Sequence, residues 1–193
     1  MTYRRCNECS SSNLYEGICK LNVLMVFDQV QAGMGGKENP NLPLGGKKGP
    51  IGSVTMLEPY LAELDENVIA CFYCGDGYFK NHQDEVTNKM IGMIKKFNPD
   101  VVICGPAYNY KGYAYMCAIV ADAVQTQTDI PAIAAMSAEN EETISAYKEK
   151  ICIVKMPKKG GTGLSNALRN ICLFAKKMAN HEDLSEIKKI YCF

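Results

Sequence analysis

The chain has 193 residues, 47% hydrophobic and 22% charged, with 21 basic and 21 acidic side chains and a formal net charge of zero. That length fits one domain with a sizeable core, and the balanced charge argues against electrostatic capture of nucleic acid or an anionic membrane. No apolar run is long enough to cross a bilayer and the polar, cysteine-rich beginning does not read as a signal peptide, so the expected location is the cytoplasm.

Residues 1–21 read as a cysteine-containing N-terminal appendage. Cys6 and Cys9 are separated by two residues, and Cys19 follows a Ser-rich turn. Two close thiols can clamp a metal or form a redox pair, so Cys6, Cys9 and Cys19 are the candidate metal ligands. No second Cys-x-x-Cys follows at zinc-ribbon spacing, and a poorly ordered terminus is the competing expectation. Of the ten cysteines, Cys71, Cys104, Cys117, Cys152 and Cys172 fall in predicted strands or on helix faces. There a reduced thiol acts as a small hydrophobe. Such usage suits an anaerobic host.

A regular pattern begins at residue 22. Residues 22–27 read as a buried strand, and 28–52 as a long glycine-rich loop of the kind that is functional or disordered. A helix over 53–64 has Ser53 as a possible cap, while Pro59 argues for a late start or a kink. The second strand, 68–73, exits through a loop at 74–79. Residues 84–97 are an amphipathic helix with Val86, Met90, Ile94 and Phe97 at helical spacing. A third strand, 100–104, ends in a Gly-Pro turn. A helix at 112–126, a strand at 131–136, a helix at 139–149 and a strand at 151–155 follow. The last long helix is 163–179, and residues 181–193 form a tail with one or two further turns.

Strands alternating with helices give five βα units. The expected fold is α/β: one three-layer sandwich over 22–180 with a five-stranded, mostly parallel sheet, flavodoxin-like or Rossmann-like. Parallel strands share one carboxyl edge, so the loops 28–52, 74–83, 105–111, 136–140 and 156–162 gather at one rim. They bring Asp28, Gln29, Cys74, Asp76, Tyr78, His82, Tyr108, Asn109, Tyr110, Lys111, Tyr113, Glu139 and Asn140.

A small polar or zwitterionic ligand suits that set. Asp76 or Glu139 would take an ammonium, and Lys111 or backbone amides a carboxylate. Tyr78, Tyr108, Asn109 and Tyr113 complete the candidate substrate-binding set, although Asp76 can equally organise a turn and Tyr108 and Tyr113 can pack over the sheet edge. Cys74, at a strand's end, is the candidate catalytic thiol against a purely structural use. The Gly160-Gly-Thr-Gly163 turn lacks the ending of a phosphate-binding loop, and no dinucleotide fingerprint follows the first strand. NAD and ATP are therefore not expected, and FMN is compatible with the fold alone.

Gln31-Ala-Gly-Met-Gly-Gly36, Gly49-Pro-Ile-Gly52, Cys74-Gly-Asp-Gly-Tyr-Phe79, Gly105-Pro-Ala-Tyr-Asn109 and Gly112-Tyr113 occur in order. In these pieces, over roughly residues 22–178, the chain resembles component B of the glycine, sarcosine and betaine reductases, the selenoprotein B family. The likeness covers what looks like the amino-terminal α/β half of that family's longer subunit. It implies reductase subunits as partners, one bearing a pyruvoyl group on which the substrate amine forms a Schiff base. It also implies a selenocysteine that attacks the α-carbon and releases the amine reductively. The selenocysteine segment belongs to the family's second half, before which this chain is expected to end, and its role is not transferred to Cys192.

The leading expectation is a reductase-related subunit that binds a small amine or amino acid. A non-catalytic binding or regulatory module is the alternative, and a stand-alone thiol enzyme the third. Homo-oligomerisation stays open.

Overall fold

The computed structural model describes residues 20–158 and 160–193. Its strands are β1 (Leu21–Phe27), β2 (Gly45–Lys48), β3 (Glu66–Tyr73), β4 (Val101–Ala107), β5 (Ala132–Ser137) and β6 (Cys152–Met156). Its helices are α1 (Val54–Glu63), α2 (Asp76–Asn81), α3 (Gln83–Phe97), α4 (Lys111–Gln127), α5 (Glu141–Tyr147), α6 (Leu164–Ala179) and α7 (Ser185–Tyr191). The strands form one sheet in the order β2-β3-β1-β4-β5-β6, parallel except for the β2 edge. The sheet is therefore six-stranded rather than five-stranded. Among its parallel strands the chain-order sequence is second, first, third, fourth, fifth, which is the flavodoxin-like arrangement.

β1 lies at the centre. Val23 to Phe27 are completely buried, as a continuous apolar run must be when both sheet faces are covered. Helices α1 and α6 pack against each other on one face, while α4 contacts α2, α3 and α5 on the other. Burial dictates the amphipathic patterns. In α3, Val86, Met90, Ile91 and Ile94 turn inward; in α6, Leu168, Ile171, Cys172 and Phe174 do. Each such large apolar side chain contributes about 1.5–3 kcal/mol of transfer free energy. Lysines close both helices, Lys95 and Lys96 in α3 and Lys176 and Lys177 in α6, where the dipole favours cations.

Four local expectations are corrected. β2 was not legible because Gly45-Gly-Lys-Lys48 has no strand propensity; it forms because β3 offers an edge and its glycines lie flat on the Tyr73 and Phe72 rings, where a Cβ would come within 2.6 and 2.8 Å. Residues 76–81, read as loop, make the short α2. β4 does not stop at the Gly-Pro pair: it runs on to Ala107, opposite Met136 of β5, with a register shift and a cis Gly105-Pro106 bond between. Ser53 does not cap α1 with its side chain; its hydroxyl is committed to the Gln31 side chain, and Pro59 sits inside the helix.

The N-terminal cysteines proposed as metal ligands lie outside the described residues. Among the described residues there is no cluster of three or more His, Cys, Asp or Glu side chains arranged for a metal, and no helix is long and apolar enough to cross a membrane. The described cysteines are free thiols and all are buried.

Candidate functional site

β1 and β4 are neighbours whose connections leave in opposite directions, so the sheet's order reverses between them. At such a point the loops part and a crevice opens beyond the carboxyl ends of the strands. Asp28 and Gln29 leave β1 there, Asp76 follows β3, Lys111 and Gly112 follow β4, and Glu139 and Asn140 follow β5. A cleft of about 780 Å³ occupies this rim, lined among others by Asp76, Lys111, Gly112, Tyr115, Glu139, Asn140 and Tyr147.

Neighbouring groups hold its polar side chains in place. Gln29, almost fully buried, donates from Nε2 to Asp76 Oδ1 at 3.2 Å and accepts at Oε1 from the Asp76 backbone N–H at 3.3 Å. This reciprocal pair ties the loop after β1 to the first turn of α2. Gly112 adjoins the same carboxylate: a Cβ there would lie 2.5 Å from Asp76 Oδ2, so a larger residue at the start of α4 would displace it. Asn140 Nδ2 donates to the carbonyls of Tyr108, at 2.7 Å, and Ser137, at 3.1 Å. Those bonds fix the amide's orientation, and its Oδ1 is left buried without a partner. A buried acceptor without a partner is costly unless a ligand donor meets it. Ser137 Oγ lies 3.2 Å from Tyr108 O and 3.1 Å from Glu139 Oε2 and donates to one at a time. Lys111 Nζ is 3.9 Å from Glu142 Oε1, an exposed pair that a ligand carboxylate could displace at little cost.

Behind the cleft Asp28 is buried. Its Oδ1 accepts the Gln31 backbone N–H at 2.6 Å, while Oδ2 has no partner. Burial chiefly, with the nearby Asp76 charge adding to it, raises its carboxyl to about 6, although the Gln31 bond opposes the shift.

The rim thus brings Asp76 and Glu139 into one cleft with Lys111. The other candidates are placed differently. Tyr78 stacks on His82, ring centroids 4.4 Å apart, and lines a separate groove with Leu44 and Met93. Tyr108 is half-buried and serves the rim through its backbone carbonyl; Asn109, beside it, is exposed, and neither lines the cleft. Tyr113 as a ligand contact is corrected: it is fully buried and its hydroxyl donates to the Val26 carbonyl at 3.0 Å.

Cys74 is also fully buried, its Sγ 3.8 Å from the Leu42 carbonyl oxygen. Burial first, and the Asp76 charge second, push its thiol up to about 12. A reactive thiolate needs the reverse, an electropositive and partly exposed setting. We expect Cys74 in the native chain at pH 8 to be alkylated by iodoacetamide at least about 100-fold more slowly than in the unfolded chain, as read by peptide mass spectrometry; equal rates would restore it as a nucleophile.

Three cleft residues were missed as site residues. Asn140 appeared only among the polar loop residues, and nothing in one sequence marks an amide whose oxygen will be orphaned. Tyr115 and Tyr147 meet edge to face across the cleft wall, centroids 6.5 Å apart. Helical periodicity could have found Tyr115: two positions from the inward Tyr113, it must face outward.

The family model described as glycine/sarcosine/betaine reductase selenoprotein B matches residues 20–191. Three curated relatives are similar to the chain. A glycine reductase complex component B subunit gamma from Carboxydothermus hydrogenoformans is 30% identical over 86% of this chain and 38% of its own length. The subunit of the same name from Peptoclostridium acidaminophilum is 32% identical over 86% of this chain and 37% of its own. A sarcosine reductase complex component B subunit beta from the latter organism is 29% identical over 84% of this chain and 37% of its own. The chain thus spans less than two fifths of the length of these relatives. No solved structure matches it.

Proposed function

The chain belongs to the glycine/sarcosine/betaine reductase selenoprotein B family, and we propose that its rim cleft binds a small amine or amino acid, the chain acting with partner reductase subunits in reductive C–N cleavage. The observation that carries this reading is the cleft itself. Asp76 is clamped by Gln29 and adjoined by Gly112, and Asn140 contributes a buried acceptor with no partner. Both demand a donor, and an ammonium or amine is a donor of the right size and charge. Tyr115 and Tyr147 add aromatic faces that favour an alkylated ammonium, and Lys111 in the same lining offers a cation for a ligand carboxylate. The named activities of the relatives, on glycine and sarcosine, fall in this ligand class.

In this reading the chain's own residues bind and orient. The carbonyl and the selenium that the family resemblance implies come from partner subunits or from sequence beyond the matched region. Cys74, buried and protonated, is structural.

Calorimetric titration of the full chain with glycine, sarcosine and betaine tests the proposal. Saturable binding of at least one is expected, weakened at least about tenfold by Asp76→Asn, which corresponds to the loss of one charge-assisted contact of about 1.4 kcal/mol or more. Binding that Asp76→Asn leaves untouched, or no binding by any of the three, would overturn it.

A further inference from the structure

The C-terminal segment carries chemistry that the cleft does not use. After α7 the chain turns back along β6. Cys192 pairs with Val154 in an isolated antiparallel bridge, and the Phe193 N–H donates to the Ile153 carbonyl at 3.1 Å. Lys155 Nζ donates to the Ile190 carbonyl at 3.3 Å and lies 5.9 Å over the Phe193 ring. Residues two apart on a strand share a face, so Cys152 is on the Val154 side and becomes the diagonal neighbour of Cys192. The two thiols are close enough to perturb each other's titration. None of these residues lines the cleft.

We propose that Cys152 and Cys192 form a reversible dithiol–disulfide exchange site at the β6 edge, whose substrate is a low-molecular-weight disulfide.

Three features support it. The seam is easily opened: no α7 residue is buried, and a single bridge with few hydrogen bonds ties the segment to β6. Segments held this weakly open locally well below the global unfolding free energy, and the same looseness lets the terminal segment settle into disulfide geometry. The thiols are nearly covered, at 8% and 4% exposure, which favours a small reagent over a protein partner. Finally, the neighbouring Cys192 thiol, helped by the Lys188 ammonium, draws the Cys152 thiol below its ordinary value against the effect of burial. Burial raises Cys71, Cys74, Cys104, Cys117 and Cys172 instead. Cys152 is therefore the attacking sulfur and Cys192 the resolving one.

The exchange balances without another reactant. Cys152 thiolate attacks one sulfur of R–S–S–R, whose S–S bond breaks; the departing RS⁻ takes up the proton that Cys152 released. Cys192, losing its proton, then attacks the Cys152 sulfur of the mixed disulfide and displaces the second RS⁻, which takes up that proton. Two protein thiols are oxidised to one disulfide and R–S–S–R is reduced to two RSH. Excess dithiol reverses both steps.

The full chain, fully reduced and then treated with oxidised glutathione at pH 7.5, tests this. After acid quenching and alkylation, peptide mapping should show a Cys152–Cys192 cross-link with loss of two hydrogens, reversed by dithiothreitol. In Cys192→Ser the same treatment should stop at glutathione bound to Cys152. Iodoacetamide should label Cys152 at least about tenfold faster than Cys104. If Cys152 and Cys192 remain separate thiols in the wild-type chain under excess oxidised glutathione, the proposal is overturned, and this measurement stands even if the serine variant does not fold. A cross-link of either residue to a third cysteine instead would overturn it equally.

Discussion

Glu66→Gln is expected to raise the free energy of unfolding by about 3–5 kcal/mol at pH 8.5 and by less than about 0.5 kcal/mol at pH 4. Glu66 opens β3, is only 5% exposed, and both its carboxyl oxygens are buried without a partner. Burial raises its carboxyl from 4.5 to about 8, although the Lys176 charge opposes the shift. Lys176 does not pair with it, because its Nζ donates to the Leu64 carbonyl at 2.7 Å.

The sign follows from proton linkage. Below pH 4.5 the carboxyl is protonated in both the folded and the unfolded chain and has no linkage effect. Between pH 4.5 and about 8 the unfolded chain ionises while the folded one holds its proton, so stability falls as pH rises. Above about 8 the folded chain carries a buried charge and the loss is complete. Glutamine keeps the shape and cannot ionise. Asp28 adds a loss of the same sign between pH 3.8 and about 6, but it is common to both proteins and cancels in their difference. Urea unfolding of both proteins at pH 4, 6.5 and 8.5 measures the effect; parallel stability curves would show that Glu66 ionises freely in the folded chain.

Tyr113→Ala is expected to cost roughly 3–5 kcal/mol, and Tyr113→Phe only about 1–2 kcal/mol. The ring is fully buried where α4 crosses the sheet, and its hydroxyl is bonded to β1 through the Val26 carbonyl. Removing the ring leaves a cavity under the rim. Removing only the hydroxyl deletes that one bond to the Val26 carbonyl. Asp28, Cys104 and Cys117 surround the hydroxyl, and burial first, then these neighbours, hold it well above its ordinary value, so it stays a donor throughout the stable pH range. Equilibrium unfolding gives both costs. Ligand affinity in Tyr113→Phe should match the wild type, because the cleft lies on the other side of the α4 first turn. A fully stable Tyr113→Phe variant that loses binding would return Tyr113 to the ligand contacts.

These two residues show where reading the sequence stopped. Tyr113 was legible as a residue next to the rim, but its direction was not. In a helix the side chain two positions on, Tyr115, faces away from it, and which of the two meets solvent depends on the sheet beneath. Glu66 gave no sequence signal, since a glutamate at the start of a strand is ordinarily solvated. It is buried because it pairs with Leu21 of β1 and lies beside Cys172 and Lys176 of α6, neighbours determined by strand order and helix packing.

Patterns with short range were determined by the sequence alone. Apolar runs at 22–27, 68–73, 100–104, 131–136 and 151–155 specified buried parallel strands, and the helical spacing of Val86, Met90, Ile94 and Phe97 specified the helix between the second and third of them. Strand direction then obliged the following loops to meet at one rim, so Asp76 and Glu139 were correctly expected on the same edge, and the family motifs marked those same loops. Only the tertiary structure decided what depends on which strands are neighbours: the reversal between β1 and β4, the β2 edge built from glycines, the clamp of Gln29 on Asp76 beside Gly112, the orphaned Asn140 oxygen, and the meeting of Cys152 with Cys192. The physical reason is that local propensity and periodicity act over a few residues, whereas burial, pairing and hydrogen-bond satisfaction are settled between segments many tens of residues apart.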